Sequence, residues 1–239
     1  MIVDGINVVR ELLNASVKIE KIVAENSENS DIVFLLDKAR AMGVKFEILD
    51  KKDYDRKFKF KNQGIVAYIK DFEYCDVEDI MLVAERKGEK PFIVILDGIT
   101  DPHNLGAIIR TCECAGVHGV IIPKNRACEV TDTVYRTSAG AVINVKVAMV
   151  TNITRTIKDL QNQGVWVYAL EAGSKKLYSA DFTYPTALVV GSEGNGVSRL
   201  VKETVDEVLS LDMFGQVNSL NASNASAIAV YEVVRQRSK

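Results

Sequence analysis

The chain has 239 residues, room for one large domain or two of ordinary size, each with its own core. Hydrophobic residues make up 47% and charged residues 26%, the balance of a globular protein, and no apolar run approaches the roughly 18 residues of a membrane helix. The net charge of −2 and pI of about 5.8 exclude a protein coated in positive charge but leave room for a local basic patch.

The start, Met1-Ile2-Val3-Asp4, lacks the basic-then-apolar order of a signal peptide, so a cytoplasmic protein is expected. Cys75, Cys112, Cys114 and Cys128 include an isolated Cys-x-Cys, which is not a zinc spacing. Free thiols in a reducing compartment are expected, with no metal site, and Cys112 and Cys114 on different sides of one helix.

In chain order, Val3 to Leu13 has helical apolar spacing, Lys21 to Ala24 reads as a strand, and Asp31 to Ala41 as a helix with an aspartate N-cap. Val44 to Leu49 alternates like a strand, and Gly64 to Ile69 is another. This mixture predicts a small α/β domain over 1–75. Residues 51–61 interleave six cations, Lys51, Lys52, Arg56, Lys57, Lys59 and Lys61, with Tyr54, Phe58 and Phe60. Two readings stay open: phosphate contact with base stacking, or an amphipathic segment that buries its aromatics and leaves its lysines in water. The charged stretch that follows has a helical pattern over Val77 to Ala84, then Glu85-Arg86-Lys87-Gly88-Glu89-Lys90-Pro91, and a linker is expected over 76–90.

A second block over 91–239 opens with the buried-strand run Phe92-Ile93-Val94-Ile95-Leu96. Helices are expected over Asn104 to Ala115, Thr131 to Ser138, Asn152 to Gln163 and Asn221 to Arg237. Strands are expected at Gly119 to Ile122, Ala141 to Val147, Val165 to Leu170, Thr186 to Val190 and Val208 to Leu211. Apolar strands alternating with helices predict a parallel sheet covered on both faces, with ligands at the carboxyl ends of its strands.

Three loops at those ends concentrate unusual residues. The first runs Asp97-Gly98-Ile99-Thr100-Asp101-Pro102-His103-Asn104 into a helix that carries Arg110; locally it reads as an N-cap asparagine and a surface arginine. The second, Gly191-Ser192-Glu193-Gly194-Asn195-Gly196, brings backbone close to a ligand or makes a tight turn. It is neither a P-loop nor a dinucleotide fingerprint, since the lysine and the glycine spacing are missing. The third, Leu211 to Ala225, is polar and runs into a helix capped by Ser219 or Asn221, with Ala222, Ala225 and Ala229 allowing close backbone contact.

In combination these loops resemble the three signature motifs of the SpoU (TrmH-like) family of the SPOUT superfamily. The motifs are an Asn with an Arg six residues on (Asn104, Arg110), a Gly-x-Glu-Gly loop (Gly191-Ser192-Glu193-Gly194), and Ser-Leu-Asn-x-Ser before a terminal helix (Ser219-Leu220-Asn221-Ala222-Ser223). Asp4-Gly5-Ile6-Asn7-Val8-Val9-Arg10 and Asn62-Gln63-Gly64-Ile65-Val66-Ala67 resemble the substrate-binding domain of a subgroup that methylates a guanosine ribose in 23S ribosomal RNA. The chain departs from that pattern at Asn62, where a His is common, and at Asn224 and Ser226, where apolar or small residues are usual.

The resemblance implies a deep trefoil knot in the parallel sheet domain, a homodimer, and methyl transfer from S-adenosylmethionine to an RNA ribose 2′-hydroxyl. Arg110, Asn104, Glu193, Ser219 and Asn221 match the functional positions, and Gly191, Gly194, Leu211, Met213 and Leu220 the donor contacts. Lys51, Arg56, Lys57, Lys59 and Lys61 become candidate RNA contacts. A guanidinium does not normally release its proton near neutral pH, so Arg110 acts either as a base in an unusual setting or as a cation beside the developing alkoxide. Glu193 is expected to orient Arg110 or Asn104. The alternatives are the same chemistry on tRNA, or a non-catalytic RNA-binding ribosome-assembly factor.

Overall fold

A computed structural model describes residues 1–15, 17–60 and 62–238. The chain divides into two compact units, one of residues 1–73 with 130–144, the other of residues 74–129 with 145–239. Among the described residues no helix is long and apolar enough to cross a membrane.

The first unit contains β1 (Ile2–Asp4), α1 (Ile6–Asn14), β2 (Ile19–Glu25), α2 (Ser30–Ala41), β3 (Phe46–Leu49), α3 (Lys51–Lys57) and β4 (Ile65–Ile69). Its mixed sheet has the order β1-β4-β2-β3, with only β2 and β3 parallel. The helical spacing from Val3 is split by Gly5, whose φ of 110° breaks the run into a strand and a helix. Gln63 caps that helix through its Oε1, which accepts the Ile6 N–H at 2.8 Å. Asn62 braces the turn before β4 by accepting from Gly64 N–H and the Tyr54 hydroxyl at 2.9 and 3.0 Å. The cap of α2 is Asn29, which accepts from Asp31 N–H, so Asp31 sits inside the first turn and is not the cap.

The basic segment resolves in favour of the amphipathic reading for two of its three aromatics. Tyr54 and Phe58 are buried against Val23 and Val66, while Phe60 stays partly exposed. Lys51, Arg56, Lys57 and Lys59 are exposed; Arg56 pairs with Asp53 and Lys57 with Glu47. Lys61 lies outside the described residues.

The same unit is completed by α6 (Asp132–Thr137) and a 3-10 turn, Ala141–Ile143. Arg136 of α6 holds the buried Asp4 carboxylate through Nε at 2.9 Å and Nη2 at 2.6 Å, and the pairing pushes the guanidinium further up from its ordinary value. Residues 141–147, expected to be extended, begin with that 3-10 turn because Gly140 enters it at φ 88°.

The second unit contains α4 (Val77–Lys87), β5 (Phe92–Asp97), α5 (Pro102–Cys114), β6 (Gly119–Pro123), β7 (Lys146–Val150), α7 (Ile153–Asn162), β8 (Trp166–Lys176), β9 (Thr186–Gly191), α8 (Arg199–Lys202), β10 (Glu207–Ser210) and α9 (Ala222–Arg237). Residues 76–90, expected as a linker, instead hold α4. Its Asp76–Asp79 capping box starts the helix, Gly88 at φ 66° ends it, and Ile80 and Ala84 are buried. The charges of 85–90 belong to the solvent side of its last turn and the bend beyond.

All six strands of the sheet are parallel, in the order β10-β8-β9-β5-β6-β7. Strand residues alternate between two apolar faces. Ile93, Ile95, Ile121, Val167, Ala187 and Val189 meet Ile80 of α4, Ile153, Ile157 and Leu160 of α7, and Val201 of α8. On the other side α5 and α9 pack together, with α9 against β9 and α5 against β6. Cys112 is buried there and Cys114 exposed; burial pushes the Cys112 thiol up. The chain runs outward from β5 through β6 and β7, then crosses to β8 and returns beside β5 as β9. Loops after β5 and β9 therefore diverge at a topological switch point, where such sheets bind ligands.

Two buried polar groups make testable stability contributions. His118, just before β6, accepts the Phe92 N–H on Nδ1 at 2.9 Å and meets Glu89 through Nε2 at 2.9 Å. Only an imidazole unprotonated at Nδ1 can accept that bond. Burial holds its pKa below the ordinary value, outweighing the opposing Glu89 carboxylate. The unfolded chain therefore binds a proton first, and stability falls as pH drops below about 6.5. Urea denaturation at pH 7 and pH 5 is expected to show this loss, and His118→Gln to flatten it. In α9, Ser226 is fully buried and its Oγ has no hydrogen-bond partner among the described residues. Leaving a buried hydroxyl unpaired costs about 1–3 kcal/mol. Ser226→Ala is expected to raise unfolding stability by about 1 kcal/mol, and an unchanged or lower urea midpoint would refute this.

Candidate active site

Asp101 caps α5, accepting His103 N–H at 2.9 Å with Pro102 in the first turn. Asn104 thus lies one turn inside the helix, not at its cap, and it is buried. Its Nδ2 donates to Glu193 Oε1 at 3.0 Å, and its Oδ1 accepts from Asn221 Nδ2 at 3.0 Å. Asn221 Nδ2 also donates to Glu193 Oε1. The Asn221 side-chain oxygen is the N-cap of α9, accepting from Ser223 N–H at 2.9 Å. One carboxylate and two amides therefore join all three motif loops.

The β9 loop is held by two carboxylates that carried no sequence signal of their own. Glu171 of β8 accepts Val197 N–H at 2.8 Å, and Asp97 at the end of β5 accepts Ser198 N–H at 2.7 Å. Asp97 ends β5 and Glu171 lies within β8, and neither acid is legible as a loop anchor until the strand order is known. Within the loop, a side chain at Gly191 would meet the Gly196 carbonyl carbon and Val197 nitrogen at 2.1–2.2 Å. Gly194 is different. Its φ is not in the left-handed region, and nothing of the chain lies within 4 Å of the place a Cβ would take.

Two cavities flank this loop and share Ser192, Glu193, Gly194 and Gly196 as a common wall. The first, about 480 Å³, is lined by Gly191, Gly194, Leu211, Met213, Ser219 and Leu220, together with Glu171 and Lys176. It thus gathers every residue singled out for donor contact. Lys176 pairs with Asp212 beside its rim. The second, about 500 Å³, lies between the loops after β5 and β6. A larger cavity, about 610 Å³, opens around Phe92, His118 and Thr183 at the amino ends of β5, β6 and β9 and contains no motif residue.

Arg110 is not brought to this cluster. It is exposed on α5, lines neither cavity, and makes no hydrogen bond or ion pair among the described residues. Six residues along a helix place it about 240° around the axis from the buried Asn104. The carboxylate of Glu193 orients Asn104 and Asn221, and not Arg110. Among the described residues no group of three or more His, Cys, Asp or Glu side chains is placed to hold a metal ion.

Residues 91–231 match the model of the SpoU rRNA methylase family, and residues 2–75 match the RNA 2′-O ribose methyltransferase substrate-binding domain. The chain belongs to the SpoU family. It is therefore an RNA methyltransferase with a substrate-binding domain at its N-terminal end. YacO of Bacillus subtilis, named for the TrmH family of tRNA/rRNA methyltransferases, is 40% identical over 98% of this chain and 94% of its own. The 23S rRNA (guanosine-2′-O-)-methyltransferase RlmB of Vibrio vulnificus is 38% identical over 98% of this chain and 96% of its own. The crystal structure of the SpoU methyltransferase AviRb from Streptomyces viridochromogenes, in complex with AdoMet, has the same fold. It superposes with a TM-score of 0.83 at 23% identity, over 99% of this chain and 90% of that one.

The glycines separate two roles of the β9 loop. Gly191→Ala forces a methyl into backbone and is expected to abolish donor binding and lower stability. Gly194→Ala is expected to fold with unchanged stability and lose donor affinity alone. Calorimetric titration with S-adenosylmethionine beside urea denaturation distinguishes them, and a Gly191→Ala variant that binds normally would contradict this account of the loop.

Proposed function

We propose that the protein methylates the ribose 2′-hydroxyl of a guanosine in 23S ribosomal RNA, using S-adenosylmethionine held in the cavity between the β9 and β10 loops. The observation that carries this reading is the Asn104–Glu193–Asn221 cluster, which borders a cavity of suitable size for such a ligand. The cavity fits the donor in its chemistry as well. Gly191 lets backbone line it closely, Gly194 leaves space beside it, and Leu211 and Leu220 supply apolar surface. When bound, S-adenosylmethionine supplies a methyl group activated by its sulfonium.

The 2′-oxygen forms a bond to the methyl carbon while the carbon–sulfur bond breaks, and its electron pair leaves with sulfur as S-adenosylhomocysteine. The hydroxyl proton passes to a base. Reactants in line at contact distance remove much of the entropic barrier, and the tied loops give that alignment a fixed frame. Arg110 stands beside the developing alkoxide as a cation. Its position away from its own chain's cluster fits a homodimer in which it serves the partner's site. The trefoil knot and a cytoplasmic location belong to the same reading. Exposed Lys51, Lys59 and neighbouring cations of the first unit contact RNA phosphates.

Transfer of labelled methyl to ribosomal RNA, read as 2′-O-methylguanosine, is expected for the wild type. In Arg110→Ala it should fall about 10²–10³-fold, the range for losing one transition-state charge partner. Arg110→Lys with an unchanged pH–rate profile and a lower rate fits the cationic role, while loss of a pH limb would assign Arg110 as the base. Label confined to tRNA would move the substrate within the family. No label with donor binding intact would turn the reading toward an assembly factor.

A further inference from the structure

We infer that the cavity between the loops after β5 and β6 is a guanine pocket, reading the base whose ribose is presented at the Glu193 cluster. This rests on the guanosine methylation proposed above. The cavity is lined by Asp97, Asp101, Asn104, Asn125, Arg126 and Glu193. It shares the Ser192–Gly196 wall with the donor cavity, so a nucleotide seated in it places its sugar at the wall where the two meet.

The charges decide what enters. Asp97 spends one oxygen on Ser198 N–H and Asp101 one on His103 N–H, which leaves each carboxylate a second oxygen. Neither aspartate, nor Arg126, forms an ion pair among the described residues. Three carboxylates against one guanidinium disfavour a phosphate and favour a base edge rich in hydrogen-bond donors. Guanine fits both signs. Its neighbouring N1–H and N2–H₂ groups donate together to a carboxylate, while O6 and N7 accept from an arginine. Adenine has an acceptor at N1 beside its amino group, and uracil has one N–H between two carbonyls, so neither supplies the paired donors. Enzymes that act on an extruded nucleotide read it along this edge.

The walls are built before any base arrives. Cys128 N–H donates to Ile99 O at 2.8 Å and ties the β6 loop to the β5 loop. Gly98, at φ 81°, turns the chain out of β5, and Arg126 itself sits in the left-handed region at φ 58°.

The test uses the full-length protein, S-adenosylmethionine and a synthetic ribosomal RNA fragment spanning the guanosine found to be methylated. A matched fragment carries inosine there, which lacks only the 2-amino group. The wild type is expected to prefer guanosine by about tenfold or more in kcat/KM, the scale of one lost bidentate contact. Asp101→Asn keeps a good N-cap for α5 but replaces an acceptor with a donor. It should lose at least tenfold on guanosine, no longer distinguish inosine, and bind S-adenosylmethionine with unchanged Kd by calorimetry. Arg126→Gln should weaken equilibrium binding of the guanosine fragment, read by fluorescence anisotropy, without changing donor affinity. Full activity of Asp101→Asn with the guanosine preference intact would overturn the pocket and leave the methylation reading standing. A wild type that methylates no guanosine would overturn both.

Discussion

The site depends on a single carboxylate oxygen shared by two amides. Glu193 Oε1 receives Asn104 from α5 and Asn221 from the start of α9, while Asn104 and Asn221 bond to each other. These residues are 89, 117 and 28 positions apart in pairs, so the triangle forms only after the sheet has ordered its strands. The sheet places β5 and β9 side by side, and Asp97 and Glu171 fix the loop that carries Glu193. Charge-assisted bonds of this kind are stronger than neutral ones, and satisfying the amides on both sides makes the arrangement a frame and not a set of independent contacts.

That frame explains why the β9 loop is rich in glycine. Gly191 is required by the chain itself, because backbone of Gly196 and Val197 fills the place of a side chain. Gly196 turns at φ 62° against the Glu171 carboxylate, where any Cβ would collide with the acid that holds the loop. Gly194 has no such internal reason, and its open side faces both cavities. Two glycines thus serve folding, and the third borders open space.

Much of this was legible in the sequence. Phe92 to Leu96 carried the signature of a buried strand, and its apolar residues do alternate between two helical layers. The three motifs, read together, identified the family, although each alone read as a cap or a turn. What stayed hidden was non-local. The helical pattern over Val77 to Ala84 was read and is α4, but the charges of 85–90 hid its last turn and the burial of Ile80 and Ala84 that ties it to the sheet, so the segment passed for a linker. Asp97 and Glu171 act through backbone N–H groups more than 20 residues away, and no local pattern marks such a partner. Asn104 resembled a cap because Asp101 and Pro102, the real start, form an equally ordinary pair.

The first unit is not a continuous piece of chain. Its buried Asp4 takes its counter-charge from Arg136, which leaves the order of the parallel sheet between β6 and β7 to complete it. On the ribosome that partner follows Asp4 by 132 residues, several seconds at about 5–20 residues per second. Until then an aspartate destined for the interior has no guanidinium to meet. A segment translated ahead of β5 is therefore finished late, and its completion reports that the sheet through β6 has already been synthesised.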